Sequence, residues 1–153
     1  MKVSTLCFLV KEGQILLAMK KHGFGVGKWN GVGGKVKLGE TVETAVLREL
    51  KEEIGVDGEE KYLESRGILR FRSENSDLDW NTHVYFLSNW QGEPTESEEM
   101  KPQWHDNNQL PFDNMWVDDK HWLPLVLDGQ KLDAEFFFDS TGSKIIDMQI
   151  KQI

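Results

Sequence analysis

Three glutamates, Glu49, Glu52 and Glu53, fall within five residues of a segment that otherwise has the makings of an amphipathic helix. Thr41 is suited to cap its start and Gly55 to stop it, and no residue between them breaks a helix. At about 100° per residue, Val42, Ala45, Val46 and Leu50 share one apolar face, and Glu49 and Glu53 fall inside it. A carboxylate on an inward face is costly unless it is paired or bound to a metal. Glu52, three residues beyond Glu49, is placed to join them, so three carboxylates are expected to converge. Glu52 and Glu53 also occupy the last turn, where the helix dipole disfavours anions and asks for a compensating cation. Oxygen ligands at this density suit a hard divalent ion such as Mg2+, which keeps several waters and bridges carboxylates to phosphates. A solvated acidic face, with Arg48 and Lys51 as partners, is the alternative that the helix alone leaves open.

The residues before this helix carry the opposite charge. Lys20 to Lys37 holds five lysines, six glycines and no acidic residue, in a chain whose net charge is -8. Glycine-rich turns can present backbone amides to phosphate, and lysines add point charge. The spacing fits neither a P-loop nor a dinucleotide-binding fingerprint. Farther on, Gln109 to Asp119 sets Met115 and Trp116 beside the adjacent carboxylates Asp118 and Asp119. Taken alone, Asp118 reads as the N-cap of a helix over 119–127 that turns Trp122 and Leu123 to the core despite Pro124. Glu96, Glu98 and Glu99 lie in an acidic surface loop that could supply another ligand if it folds back.

Positioning these groups requires a layered framework. Thr5 to Val10 and Gln14 to Lys20 read as strands joined at Lys11, Glu12 and Gly13, with Thr5 and Lys20 as polar exceptions to their apolar surroundings. Arg66 to Phe71 and His83 to Ser88 read as strands separated by a polar loop, Ser73 to Asn81. Leu132 to Asp139 and Lys144 to Ile150 form a hairpin around Thr141 and Gly142. Strands and helices in this order imply an α/β or α+β fold, and 153 residues suffice for one domain spanning 1–153. The acidic balance argues against nucleic-acid or membrane-surface binding. The single cysteine, Cys7, excludes an internal disulfide and fits a reducing, cytoplasmic setting; the apolar run around it is too short for a signal segment or membrane span.

Gly34, Glu40 and the run Arg48-Glu49-Leu50-Lys51-Glu52-Glu53-Ile54-Gly55-Val56 match every fixed position of the Nudix box, so the chain resembles the Nudix hydrolases. That resemblance implies an α/β/α sandwich with a mixed sheet, in which the box forms a loop-helix-loop unit. The stretches MKKHGFGVGKWNGVGGKV, ESEEM and LPFDNMW, with the Asp pair and Trp122, further resemble oxidised purine nucleoside triphosphate hydrolases of the animal type. The resemblance implies hydrolysis of substrates such as 8-oxo-dGTP and 2-oxo-dATP to the monophosphate and pyrophosphate. It implies Mg2+, or Mn2+ in its place, held by Glu49, Glu52 and Glu53 with Glu99 and the Gly34 carbonyl as auxiliary ligands. Glu53 orients or deprotonates water and Arg48 orients Glu49 or Glu52. By the same resemblance Asn30, Asp118 and Asp119 meet the base edge, Phe24, Phe71, Met100 and Trp116 line the purine pocket, and Thr5 and Lys20 lie nearby. Val117 stands where relatives usually carry proline, which predicts a looser loop around the Asp pair. A small-molecule nucleotide is the partner implied, and a monomer is expected. Another nucleotide, a methylated purine, or nucleotide sensing without turnover are the alternatives.

Overall fold

The computed structural model describes residues 2–153. In chain order the elements are β1 (Lys2–Lys11), β2 (Gln14–Lys20), β3 (Trp29–Asn30), α1 (Val42–Ile54), β4 (Asp57–Gly58), β5 (Leu63–Ser73), β6 (Trp80–Leu87), β7 (Trp90–Gln91), β8 (Met100–Asp106), α2 (Asp119–Leu127), β9 (Leu132–Phe138) and β10 (Ile145–Gln152). Eight of the strands form one sheet in the order β10-β9-β5-β6-β1-β2-β3, with β8 also paired to β2. The sheet is mixed: β1 lies parallel to β6 and β5 parallel to β9, while the other neighbours run antiparallel.

The apolar run of β1 is unbroken because both faces of the strand are covered. Leu6 and Phe8 point into a core shared with Trp122, Leu123 and Val126 of α2, whereas Cys7 and Leu9 point into a core shared with Val46, Leu50 and Ile54 of α1. The result is the α/β/α sandwich, with one helix on each face of the sheet. Helix α1 is capped as its sequence suggests: Thr44 N donates to Thr41 Oγ1 at 3.1 Å, and Gly55 ends the helix in the left-handed region at φ 72°.

Strands β5 and β6 both run beyond the expected bounds, and the connection between them shrinks to residues 74–79. Lys2 pairs with Trp80 and Phe71 pairs with Trp80, so neighbouring strands on both sides extend the ladder into residues that look polar and loop-like in isolation. The short connection is tied down locally: Ser73 N donates to Asp79 Oδ1 at 3.0 Å and Ser73 Oγ donates to the Asp139 carbonyl at 3.0 Å.

Candidate active site

The glycine-rich segment after β3 runs back along β1, with Thr5 N donating to the Gly34 carbonyl at 2.9 Å and Val32 exchanging backbone bonds with Cys7. This approach requires glycine. A Cβ on Gly33 would collide with the Thr5 carbonyl, and one on Gly34 would press into the Glu49 carboxylate. Gly33→Ala is therefore expected to destabilise the fold by about 3 kcal/mol, because the obstructing atoms are backbone and cannot swing aside. A thermal melt checks this, and an unchanged melting temperature would contradict the packing described.

Arg48 organises the carboxylates facing that segment. Its Nε and Nη2 donate to the two Glu40 oxygens at 2.7 and 2.8 Å, its Nη1 donates to Glu49 at 2.9 Å and Glu52 at 3.2 Å, and Nη2 also reaches the Lys35 carbonyl at 3.1 Å. Hydrogen bonds from Arg48, then from the Lys37 backbone, hold the Glu40 carboxyl down at about 2. Arg48 thus touches both Glu49 and Glu52, as expected of an orienting group.

Glu49 and Glu52 share Arg48 Nη1, and Glu49 lies close enough for its charge to act on Glu53. No group of three or more His, Cys, Asp or Glu side chains among the described residues is gathered closely enough to hold a metal ion by itself. Glu52 stands 53% exposed on Arg48, while Glu53 is only 7% exposed on the inner face. The guanidinium holds Glu49 and Glu52 on its own side and offsets their charge.

Glu53 nevertheless carries the signature of a ligand. Its Oε2 is buried without a hydrogen-bond partner, an arrangement that costs free energy as it stands. Burial foremost, then the charges of Glu49 and Glu99, push its carboxyl up to about 8, against the opposing effects of the Gly33 amide and Lys20. The loop after β7 does fold back: Glu96 pairs with Lys21, Lys21 N donates to the Glu99 carbonyl, and Glu99 is close enough for its charge to act on Glu53. The hard oxygens of Glu49, Glu53 and Glu99, with Glu52 at the rim, are of the kind a divalent cation takes, and the Gly34 carbonyl, which accepts from Thr5 N at 2.9 Å, keeps a second lone pair.

Next to this cluster opens a cavity of about 360 Å3. Thr5, Lys20, Phe24, Asn30, Phe71, Met100, Trp116, Asp118 and Asp119 all line it. At its mouth the Phe24 ring, 73% exposed, lies over Trp116 at a centroid distance of 5.0 Å. Gly25, at φ 86°, brings the glycine loop against the Trp116 ring where any side chain would clash. Asn30 accepts from Gly31 N at 2.8 Å through its carbonyl oxygen, which leaves its amide group to donate into the cavity.

Asp118 and Asp119 are both buried. Asp118 occupies the N-terminal position of α2 but does not cap it, contrary to the sequence expectation. Its Oδ2 instead accepts from the Trp122 indole at 2.9 Å, a stronger demand because a buried indole N–H needs a partner. Asp119 Oδ2 accepts from Trp116 N at 2.9 Å, and Asp119 N donates back to the Trp116 carbonyl at 3.0 Å. That reciprocal pair ties the loop at Val117 without a proline. Burial raises both carboxyls; the Trp122 bond restrains the rise at Asp118, while the neighbouring Asp118 charge adds to it at Asp119. Both carboxyls are thus held above the ordinary aspartate range by burial.

A sequence profile described as NUDIX domain matches residues 1–126. The chain belongs to the NUDIX domain family. Within it, the chain is 44% identical over 137 residues to an oxidized purine nucleoside triphosphate hydrolase of Danio rerio, covering 90% of this chain and 86% of that protein. It is 38% identical over 152 residues to the protein of the same description in Mus musculus, covering 99% and 96%. Among solved structures, a mutator MutT protein of Bacillus halodurans superposes with a TM-score of 0.81 at 21% identity, covering 99% and 98%, a likeness of fold.

In this Nudix chain the box, 34–56, supplies the carboxylate cluster, while the cavity is built mostly from residues outside it. Ser4, Leu78, Trp80, Thr82, Trp122 and Phe138 also line the cavity and were not among the expected contacts. Trp122 was assigned to the core, where it also lies. Alternation along β6 would have found Trp80 and Thr82, since they share a face with the buried Val84 and Phe86, had the strand been started three residues earlier. Leu78 had no comparable signal, because it reaches the cavity from a short turn.

Proposed function

We propose that the chain hydrolyses oxidised purine nucleoside triphosphates, including 8-oxo-dGTP and 2-oxo-dATP, to the nucleoside monophosphate and pyrophosphate. In doing so it would remove damaged precursors from the nucleotide pool before they enter DNA. The observation that carries this is the cavity that holds a buried carboxyl pair suited to reading a base edge and is lined also by Gly34, the box glycine that abuts the Glu49 carboxylate. The relatives described as oxidized purine nucleoside triphosphate hydrolases support the same substrate class.

Mg2+, or Mn2+ in its place, when bound would neutralise triphosphate charge and lower the pKa of water. Glu49, Glu52, Glu53, Glu99 and the Gly34 carbonyl are the oxygens offered to it. Glu53, whose Oε2 is free, is the group assigned to orient or deprotonate the attacking water. Arg48 holds Glu49 and Glu52 in place and Lys20 adds positive charge beside the phosphates. Asn30, Asp118 and Asp119 select the base, with Phe24, Phe71, Met100 and Trp116 enclosing its faces and Thr5 at the cavity wall. One shared proton lets the Asp pair offer a donor and an acceptor, and exchanging its holder would let the pocket accept oxidised guanine and oxidised adenine alike. The chain acts on this small molecule as a monomer in the cytoplasm.

The test is a panel of normal, oxidised and methylated nucleoside triphosphates incubated with Mg2+ and scored for pyrophosphate against phosphate. Pyrophosphate release that is fastest with oxidised purines is expected. Orthophosphate release, faster turnover of a methylated purine, or no turnover of any member would each overturn the proposal.

A further inference from the structure

The acidic loop between β7 and β8, residues 92–99, brings Glu99 up to a site that already holds Glu49 and Glu53, and the charges of Glu49 and Glu99 both act on Glu53. Placing another carboxylate there costs free energy, so the loop needs anchors that offset the repulsion. It has two. Thr95 N donates to the carbonyl of Ile54, the last residue of α1, at 2.9 Å, and Thr95 Oγ1 donates to the same oxygen at 3.3 Å, which ties the loop to the residue after Glu53. The other anchor is Lys21.

Lys21 follows β2, whose last residue, Lys20, pairs with Met100, the first of β8. Lys21 N extends that pairing by one step and donates to the Glu99 carbonyl at 2.9 Å. Its side chain then turns to the same loop: Nζ donates to the Ser97 carbonyl at 2.7 Å and pairs with Glu96. Ser97 closes the turn that carries Glu99, its Oγ accepting from Glu99 N at 3.2 Å and from Met100 N at 3.1 Å, while Ser97 N donates to the Met100 carbonyl at 2.9 Å. Two of the three ammonium protons are committed to the loop. Lys21 therefore fixes the backbone on both sides of Glu98 and leaves the Glu99 charge to act on Glu53. Of the two adjacent lysines, Lys20 is the one that lines the cavity.

We infer that Lys21 is a positioning residue, which holds the 96–99 turn so that Glu99 joins the oxygens offered to the divalent cation, and that it is not a phosphate contact. This rests on the proposed metal-dependent hydrolysis. The lysines of the glycine-rich segment thus divide by role, with Lys20 at the cavity and Lys21 on the acidic loop.

The experiment follows Mn2+ binding to the nucleotide-free chain by electron paramagnetic resonance, with the Mg2+ concentration for half-maximal hydrolysis of 8-oxo-dGTP measured alongside. It compares the wild type with Lys21→Met, Lys21→Arg, Glu96→Gln, Glu99→Gln and the double variant of Lys21→Met with Glu99→Gln. Lys21→Met is expected to weaken Mn2+ binding and raise the Mg2+ requirement by about tenfold, the scale for loss of a group that orients a metal ligand, without moving the nucleotide KM at saturating Mg2+. Lys21→Arg should retain most of the wild-type affinity. Because Lys21 acts through Glu99, the double variant should bind Mn2+ no more weakly than Glu99→Gln alone. Glu96→Gln removes only a half-exposed ion pair and carries the test should Lys21→Met fail to fold; a loss of about threefold is expected, and wild-type Mn2+ binding in it would overturn the inference. Normal Mn2+ binding by Lys21→Met with a raised nucleotide KM would make Lys21 a phosphate contact and overturn the inference with the proposed reaction intact, as would additive losses in the double variant. A wild-type chain that bound no Mn2+ would overturn the cation site and the inference together.

Discussion

Glu53→Gln is expected to lower kcat on the preferred substrate by about 100-fold or more while leaving the fold intact. The substitution keeps shape and removes charge from a side chain whose Oε2 has no partner in the protein. Its effect on stability has a defined sign. The folded carboxyl titrates at about 8, above its ordinary 4.5, so it favours the fold fully below 4.5 and that contribution is lost as pH rises through 8. In a chelating buffer the Gln variant should therefore melt progressively higher than wild type between those pH values. Divalent ions should then raise the wild-type melting temperature and narrow the gap. Near-normal turnover in the variant would remove Glu53 from the reaction, and a melting-temperature gap that ignored divalent ions would remove it from the cation site.

The second large effect is expected at the Asp pair. Asp118→Asn and Asp119→Asn each keep an oxygen that can accept the existing bond, from the Trp122 indole or from Trp116 N respectively. What they abolish is the shared proton. Each should reduce the preference for 8-oxo-dGTP over dGTP by about 100-fold, mostly by slowing the oxidised substrate, because a base edge then meets a fixed donor where it needs an acceptor. The pH dependence should change in parallel. Burial raises both carboxyls above the ordinary aspartate value, so wild-type base preference should fall as pH climbs and the pair gives up its proton. The Asn variants should lose that dependence. A preference unchanged in both variants would show that the base is read elsewhere.

Much of this site was legible in the sequence because local rules fix it. The caps at Thr41 and Gly55 and the phase that turns Glu53 inward depend on residues within one helix, and they hold in the structure. The nine cavity residues came from the resemblance, since no local pattern links Asn30 to Asp118. What could not be read depends on long-range pairing. Leu6 and Phe8 face one core and Cys7 and Leu9 the other, a division invisible in a run that is apolar throughout. The start of β6 at Trp80 is imposed by β1 and β5, so Thr82 falls outside the strand expected from His83 to Ser88. The N-cap reading of Asp118 failed because the Trp122 indole, one turn along α2, competes for the same carboxylate. The sharing of Arg48 among Glu40, Glu49, Glu52 and the Lys35 carbonyl cannot be inferred from spacing alone.

The central claim is that the cavity holding the Asp pair selects the base for hydrolysis at the box carboxylates, which lie beyond its Gly34 wall. The most direct measurement is the ratio of kcat/KM for 8-oxo-dGTP to that for dGTP in the wild-type chain with Mg2+, with the released product identified. The account predicts a ratio well above one with pyrophosphate and the monophosphate as products. A ratio near or below one, or release of orthophosphate, would contradict it.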